Sequence, residues 1–535
     1  MSPTRREALA RLAALAALPL PLRGMPMWAS SAASDPLDGT VADYQAGRRR
    51  RAYTAEEITR RALERCRVDG VRWRAIDALR EREALDEARA SDRRLRAGRA
   101  LGPLDGVPLF AKSIYDVRGM PTTASNAEWA RLFPEAVDRD ALEVARLRAA
   151  GAVVLGKTAA DDFAYRGVGT STHTGQVLNP HDATGARTPG GSSAGSAVAV
   201  SGGMAFAALG TDDGGSNRIP AQCTGVVGVK PTFGLVPRTG VIPTWPILDT
   251  HGPLARTVAD AALMLAAIAG ADPSDPLALG GSFDARALGT FRDDALAGVR
   301  LGVVEAHVPR AQMTAEAVAA WDRAVSDLRA AGATVEAFEP AVTRATHREA
   351  FTAAARDRGD AAPNANAPAP TANALLQYFA GRTRDPRAAI RRGYAAYRSY
   401  YEALPATYEA CEPLLDRPMA DDPALVSFAR SRSTVVARLA DSMRAAAVTA
   451  MVYPTMPFAA FSLATGWPEV RTALGYGNWL GLPEVSVPAG MGSDGVPALN
   501  LSIVGLPGED ARVLAYAHAY ERGSRRFVGA PSGRR

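Results

Sequence analysis

Between Pro189 and Lys230, glycine and serine gather twice around short apolar runs, and this alternation restricts the possible folds more than any other feature. The first cluster reads Pro189-Gly190-Gly191-Ser192-Ser193-Ala194-Gly195-Ser196. The second reads Gly210-Thr211-Asp212-Asp213-Gly214-Gly215-Ser216-Asn217-Arg218-Ile219-Pro220. A flexible linker would be polar throughout and low in complexity. Here Ala197 to Val200 reads as a helical turn and Met204 to Leu209 as a buried strand. The segment must be folded into a core, with its glycines where the backbone turns.

Strand and helix patterns alternate through the rest of the chain. Thr54 to Gly98 carries helical patterning, and Val107 to Phe110 is a short strand leading into Lys112. Asp140 to Ala150 reads as a helix closed by Gly151, and Ala152 to Leu155 as a buried strand. Val299 to Val304 and Thr334 to Phe338 read as strands around a helix from Thr314 to Ala331. In that helix Val318, Trp321, Val325 and Leu328 keep helical spacing and Gly332 caps it, so the unit predicts parallel strands. Such alternation predicts one layered α/β domain. Residues 343–445 differ, being rich in alanine and arginine, and predict a helical insertion of the kind that sets substrate selectivity. Strand patterning returns at Val452 to Pro457, Val485 to Pro488 and Leu499 to Val504.

Composition excludes several classes of function. The formal net charge is +6, and the only dense basic run, Arg48 to Arg51, reads as solvated surface rather than a nucleic-acid site. Three scattered cysteines and six dispersed histidines offer neither a disulfide framework nor metal-ligand spacing, so no metal is expected. Residues 1–33 resemble an export signal. Arg5, Arg6 and Arg11 precede an apolar run from Leu12 to Leu22, then small residues with cleavage sites at Ala29-Ser30-Ser31 or Ser31-Ala32-Ala33. The run is too short to span a bilayer, and Thr4-Arg5-Arg6-Glu7-Ala8-Leu9 is similar to a twin-arginine signal. Export to a bacterial periplasm follows as an expectation, with no stable membrane span.

Lysine is almost absent. Lys112, Lys157 and Lys230 are the only three among 62 basic residues. A drift towards arginine should spare lysine where a neutral amine or a compact ammonium is needed, since guanidinium supplies neither. All three stand beside glycine, proline or apolar runs.

A serine nucleophile needs a proton acceptor, and its tetrahedral intermediate needs backbone N–H groups converging on one oxygen. Glycines just before a serine let successive N–H groups point the same way. Asp213-Gly214-Gly215-Ser216, directly after a buried strand, has that form. A rival lies upstream, where Gly191-Ser192-Ser193-Ala194-Gly195 satisfies the GxSxG elbow with Ser193 at its centre. That elbow requires a strand immediately before it, and the preceding residues form a polar loop.

The run GGSSAGSA, followed by GTDDGGSNRIPAQCTGVVGVKPTFG, closely resembles the signature of the amidase signature family. GPLDGVPLFAKSIYDVRGMPTT resembles that family's lysine segment, and GAVVLGKTAADDFAY, DTHGPLARTVADAALML and GLPEVSVPAG are similar to further segments in the same order. The resemblance spans about residues 40–525 and implies a single α/β/α domain, a central mixed sheet wrapped by helices. It implies a Ser–cis-Ser–Lys triad of Ser216 as nucleophile, Ser192 as relay and Lys112 as base. The backbone of Asp213, Gly214, Gly215 and Ser216 would form the oxyanion hole, with Ser193, Asp212 and Arg218 in support. The implied reaction is hydrolysis of a small-molecule or peptide carboxamide through an acyl-enzyme, without metal or organic cofactor.

Other residues take structural readings: Asp212 with Arg218 as a brace, Lys157 and Lys230 as packing, and Cys223 as core. The sequence departs from the family pattern at Ser113, Ala194 and Asp213, where an acid, a glycine and a neutral residue are usual. An amidotransferase subunit working with protein partners is the alternative, against which the export signal argues. A non-catalytic relative is a third, against which the intact Lys112, Ser192 and Ser216 argue.

Overall fold

Short apolar runs become strands, and the long Ala/Arg/Glu patterns become the helices that cover them. The computed structural model describes residues 35–278, 291–470, 472–526 and 528. The export signal expected over residues 1–33 lies outside the described residues. The strands are β1 (Ile76–Leu79), β2 (Pro108–Lys112), β3 (Val153–Thr158), β4 (Thr170–Ser171), β5 (Gly175–Gln176), β6 (Ala207–Asp212) and β7 (Val227–Lys230). They continue with β8 (Thr250–Ala255), β9 (Arg300–Val303), β10 (Thr334–Ala337), β11 (Ala450–Pro454), β12 (Glu484–Met491) and β13 (Pro497–Val504).

Apart from the β4–β5 pair, all join one 11-stranded sheet in the order β1-β3-β2-β6-β8-β7-β12-β13-β11-β9-β10. Pairing is parallel at β3/β2/β6 and at β11/β9/β10, and antiparallel elsewhere. The fold is therefore a large central mixed sheet flanked by helices, as expected. Strands β2, β6, β7 and β13 are buried along their whole length, while the outermost β1 and β10 are more open.

The unit between residues 299 and 338 forms as its pattern predicts. Thr314 Oγ1 accepts from Ala317 N and starts the helix Ala315–Ala330. Gly332, at φ 93°, turns the chain into β10, which lies parallel to β9. The buried face centres on Ala317, Ala320, Trp321, Ala324 and Leu328, leaving Val318 and Val325 at its half-buried edges. Residues 343–445 are helical, with helices at His347–Asp357, Pro368–Ala380, Pro386–Arg398, Tyr408–Leu415 and Pro423–Ala445.

Three readings need correction. The helical pattern from Thr54 to Gly98 is two helices, Ala55–Arg65 and Glu81–Arg96, separated by β1. Asp77 made this strand look solvated, yet its carboxylate is buried and accepts from Thr123 Oγ1. Arg48 is not surface: it is 2 % exposed and pairs with Asp92 at 3.0 Å, leaving Arg49 to Arg51 exposed. The strand placed at Met204 to Leu209 is β6, three residues later, and the preceding turn extends to a helix over Ala194–Ser201.

Candidate active site

Strands β2 and β6 run parallel, with Leu109 opposite Ala207 and Phe110 opposite Ala208. Their C-terminal ends therefore meet, and each ends on an ionisable residue, Lys112 and Asp212. Lys112 is fully buried. Its Nζ donates to Ser192 Oγ at 2.8 Å and to Thr211 Oγ1 at 2.8 Å. Burial pulls the ammonium down to about 8, against Asp213, Asp249, Asp161 and Asp212, which favour its charge. A neutral amine facing a serine hydroxyl is thus accessible near physiological pH.

The Gly191–Ser192 peptide is cis. Ser192 O accepts from Asp161 N at 3.1 Å, and the Asp161 carboxylate accepts from Thr170 N at 2.6 Å. A Cβ on Gly191 would stand 2.1 Å from Asp161 Oδ2, so only glycine fits there. Ser193 precedes the helix Ala194–Ser201 without a strand before it, so the elbow geometry is not built. Its N–H donates to Ser216 O at 3.1 Å, and its hydroxyl donates to Asn217 Oδ1 at 3.1 Å. Ser193 thereby stitches the two glycine–serine segments together.

Ser216 sits between β6 and the helix Arg218–Thr224, on a loop where Gly215 adopts φ 120°. This is the strand–turn–serine context expected. Ser216 is 8 % exposed and, with Asp213 and Gly214, lines a cavity of about 700 Å³. Its hydroxyl makes no hydrogen bond to another described residue, so the Lys112–Ser192 contact stands formed while the Ser192–Ser216 contact does not.

Asp212 and Arg218 brace this loop from beneath. The Asp212 carboxylate accepts from Gly215 N (2.7 Å), Asn217 N (3.0 Å) and Arg218 Nε (3.0 Å) and Nη2 (2.8 Å). Burial opposes its charge, but Arg218 and these donors outweigh burial and hold the carboxyl well below the usual range. Arg218 continues to Glu484 Oε2 at 2.7 Å and to Asn478 Oδ1 at 2.8 Å. One member of the expected oxyanion set is corrected here. The Gly215 N–H is spent on Asp212, leaving the amides of Asp213, Gly214 and Ser216.

Asp213 turns away from that brace. Thr244 Oγ1 donates to its Oδ1 at 2.7 Å, while Oδ2 is buried without a partner. Burial, then the nearby Asp249, push its carboxyl well above the ordinary range, and Asp213 shares the cavity wall with Ser216. Sequence reasoning missed Thr211, Asp161 and Glu484. Thr211 could have been found from its place one residue before Asp212 in β6, whereas the other two come from distant segments. Lys157 bonds Pro121 O (2.7 Å) and Thr122 Oγ1 (3.1 Å), Lys230 bonds two backbone carbonyls, and Cys223 is fully buried.

Residues 57–514 match the model of a family described as Amidase. A Glutamyl-tRNA(Gln) amidotransferase subunit from Synechococcus sp. (strain JA-2-3B'a(2-13)) is 34% identical over 88% of this chain and 89% of its own length. One from Acidothermus cellulolyticus is 43% identical over 274 residues, which span about half of both proteins (51% and 52%). Among solved structures, the native peptide amidase from Stenotrophomonas maltophilia is 30% identical with a TM-score of 0.72, over 96% of this chain and 99% of that one.

Proposed function

The chain belongs to the amidase signature family and cleaves amide C–N bonds, and on that premise we propose that Ser216 is its nucleophile, Ser192 the proton relay and Lys112 the base. The observation that carries this assignment is the 2.8 Å hydrogen bond from the buried Lys112 Nζ to Ser192 Oγ, next to the cavity that Ser216 lines. Neutral Lys112 takes the Ser192 proton while Ser192 takes that of Ser216, which attacks the carboxamide carbon. The amides of Asp213, Gly214 and Ser216 hold the oxyanion. The proton returns along the same path to the leaving nitrogen, and water then cleaves the acyl ester. Asp212 and Arg218 keep the loop in shape, and Ser193 ties it to the relay serine.

A fluorophosphonate should label the wild-type protein, with the adduct mapped to Ser216 and no labelling of Ser216→Ala. Labelling that survives Ser216→Ala and is lost in Ser193→Ala would overturn the assignment. The relatives named as amidotransferase subunits favour a second reading, in which the chain works only with protein partners. Ammonia or amine release by the purified chain alone separates the two. Export through the twin-arginine-like segment belongs to this proposal, supported by the basic, apolar and small-residue order of residues 1–33. Periplasmic protein should then begin near residue 32 or 34 on N-terminal sequencing. Active protein that retains Met1 or Ser2 would sink that part.

A further inference from the structure

The cavity above Ser216 has a marked division between floor and opening. Ser216 and Asp213 are buried, whereas the lining residues Arg166 and Arg348 are exposed and Arg344 is half-buried. Arg166 comes from the loop after β3; Arg344 and Arg348 come from the segment that opens the helical region. Neither Arg166 nor Arg348 forms a salt bridge among the described residues. The Arg348 guanidinium lies 5.1 Å from the Trp479 ring, which packs against Phe351 and Phe428 and so holds a fixed platform. On another wall Tyr165 packs on Trp245, 5.6 Å between ring centres. Among the described lining residues the single carboxyl is Asp213, which is buried with Ser216 rather than set among the exposed arginines.

Exposed Arg166 and Arg348, half-buried Arg344, aromatic walls and a buried serine together form a graded binding site. We propose that this cavity selects amides carrying an anionic group, received by Arg166, Arg344 and Arg348, while the aromatic walls hold the apolar part and the amide reaches Ser216. Guanidinium is suited to this because its planar fork pairs with a carboxylate through two parallel hydrogen bonds. The inference rests on Ser216 marking the amide-cleaving site, but it makes a binding claim that can be read without turnover.

The test compares two ligands of equal length, N-succinyl-L-phenylalaninamide and N-butanoyl-L-phenylalaninamide, which differ by the terminal carboxylate. Calorimetry on the Ser216→Ala protein should show the succinyl compound binding about tenfold more tightly at low salt. The preference should shrink by about 0.5 M salt, where the screening length falls to a few ångströms. It should fall to within about twofold in the Arg344→Gln/Arg348→Gln background, where Arg166 is the one guanidinium of the three that remains. Arg166→Gln, on a separate loop, should lower it by a smaller step, with circular dichroism confirming each fold. Equal binding of the two compounds, or a preference that survives all three substitutions, would overturn the proposal. Ammonia release by the protein with Ser216 intact is scored separately. Charge-selective binding without release would remove the hydrolytic reading and leave anion selection standing.

Discussion

Lys112 and Lys230 end two strands of the same sheet, β2 and β7, and are alike in burial. Both are fully buried, burial pulls both down to about 8, and both feel Asp212. The difference is in what their amines touch. Lys112 donates to the hydroxyls of Ser192 and Thr211, whereas Lys230 donates to the carbonyls of Pro231 and Leu482. A hydroxyl can give up its own proton as well as accept a bond, and a carbonyl oxygen can only accept. Burial makes a neutral amine available at either place, but only at Lys112 does it face a group it could deprotonate. A shifted lysine is therefore a candidate base only when its partner can move a proton to or from the cavity. Lys157, also pulled to about 8, bonds the Pro121 carbonyl and the Thr122 hydroxyl. Thr122 donates to Asp116 and does not line the cavity with Ser216, so Lys157 reads as structural.

The comparison breaks most visibly at Ser192. Ser192→Ala removes the hydroxyl and leaves the amine buried, making Lys112 resemble Lys230, and kcat/KM should drop by ~10²–10⁴-fold. Steady-state amide hydrolysis measures this, and a drop of less than about threefold would mean the relay runs elsewhere. Lys230→Met should behave in the opposite way. It leaves two buried carbonyls without their donor, at a cost of about 1–3 kcal/mol in urea unfolding, while kcat/KM of the folded protein stays within about threefold. The smallest effect is expected at Asp213. Burial favours the neutral form of its carboxyl, so Asp213→Asn should change little charge, and the rising limb of the pH–rate profile should stay in place. An ionised Asp213 would instead hold the lysine pKa up, so the same substitution would move that limb to lower pH.

The chemistry was more legible in the sequence than its support. Ser216 could be singled out because glycines before a serine and a strand before the glycines are both local patterns, and β6 indeed runs into that loop. The scarcity of lysine pointed to Lys112, Lys157 and Lys230 alike, because arginine is the default elsewhere in this chain. The resemblance of the GPLDGVPLFAKS segment separated Lys112 from the other two. The Asp212–Arg218 brace was visible as two opposite charges on one loop, but its continuation to Glu484 and Asn478 bridges more than 250 residues and leaves no local trace. Strand β1 was hidden because its aspartate, satisfied by Thr123 and Lys157's field, looks solvated in sequence. The burial of Arg48 was hidden likewise, since the three arginines that follow it are exposed and its partners Ser91, Asp92 and the Asp105 carbonyl lie 43, 44 and 57 residues away. The spent N–H of Gly215 depends on where the Asp212 carboxylate folds back, which spacing does not encode.

The central claim is that Lys112 works as a neutral amine, and the pH–rate profile of Lys112→Arg tests it most directly. Guanidinium keeps the positive charge but does not lose its proton in proteins. A neutral base makes activity rise with pH as the amine loses its proton, so wild-type kcat/KM should climb through about 8 and level off above it. Lys112→Arg, shown folded by circular dichroism, should lack that limb and lie ~10²–10⁴-fold below wild type at every pH. A Lys112→Arg enzyme within about tenfold of wild type, roughly 1.4 kcal/mol in barrier, and still rising through the same limb would contradict the account.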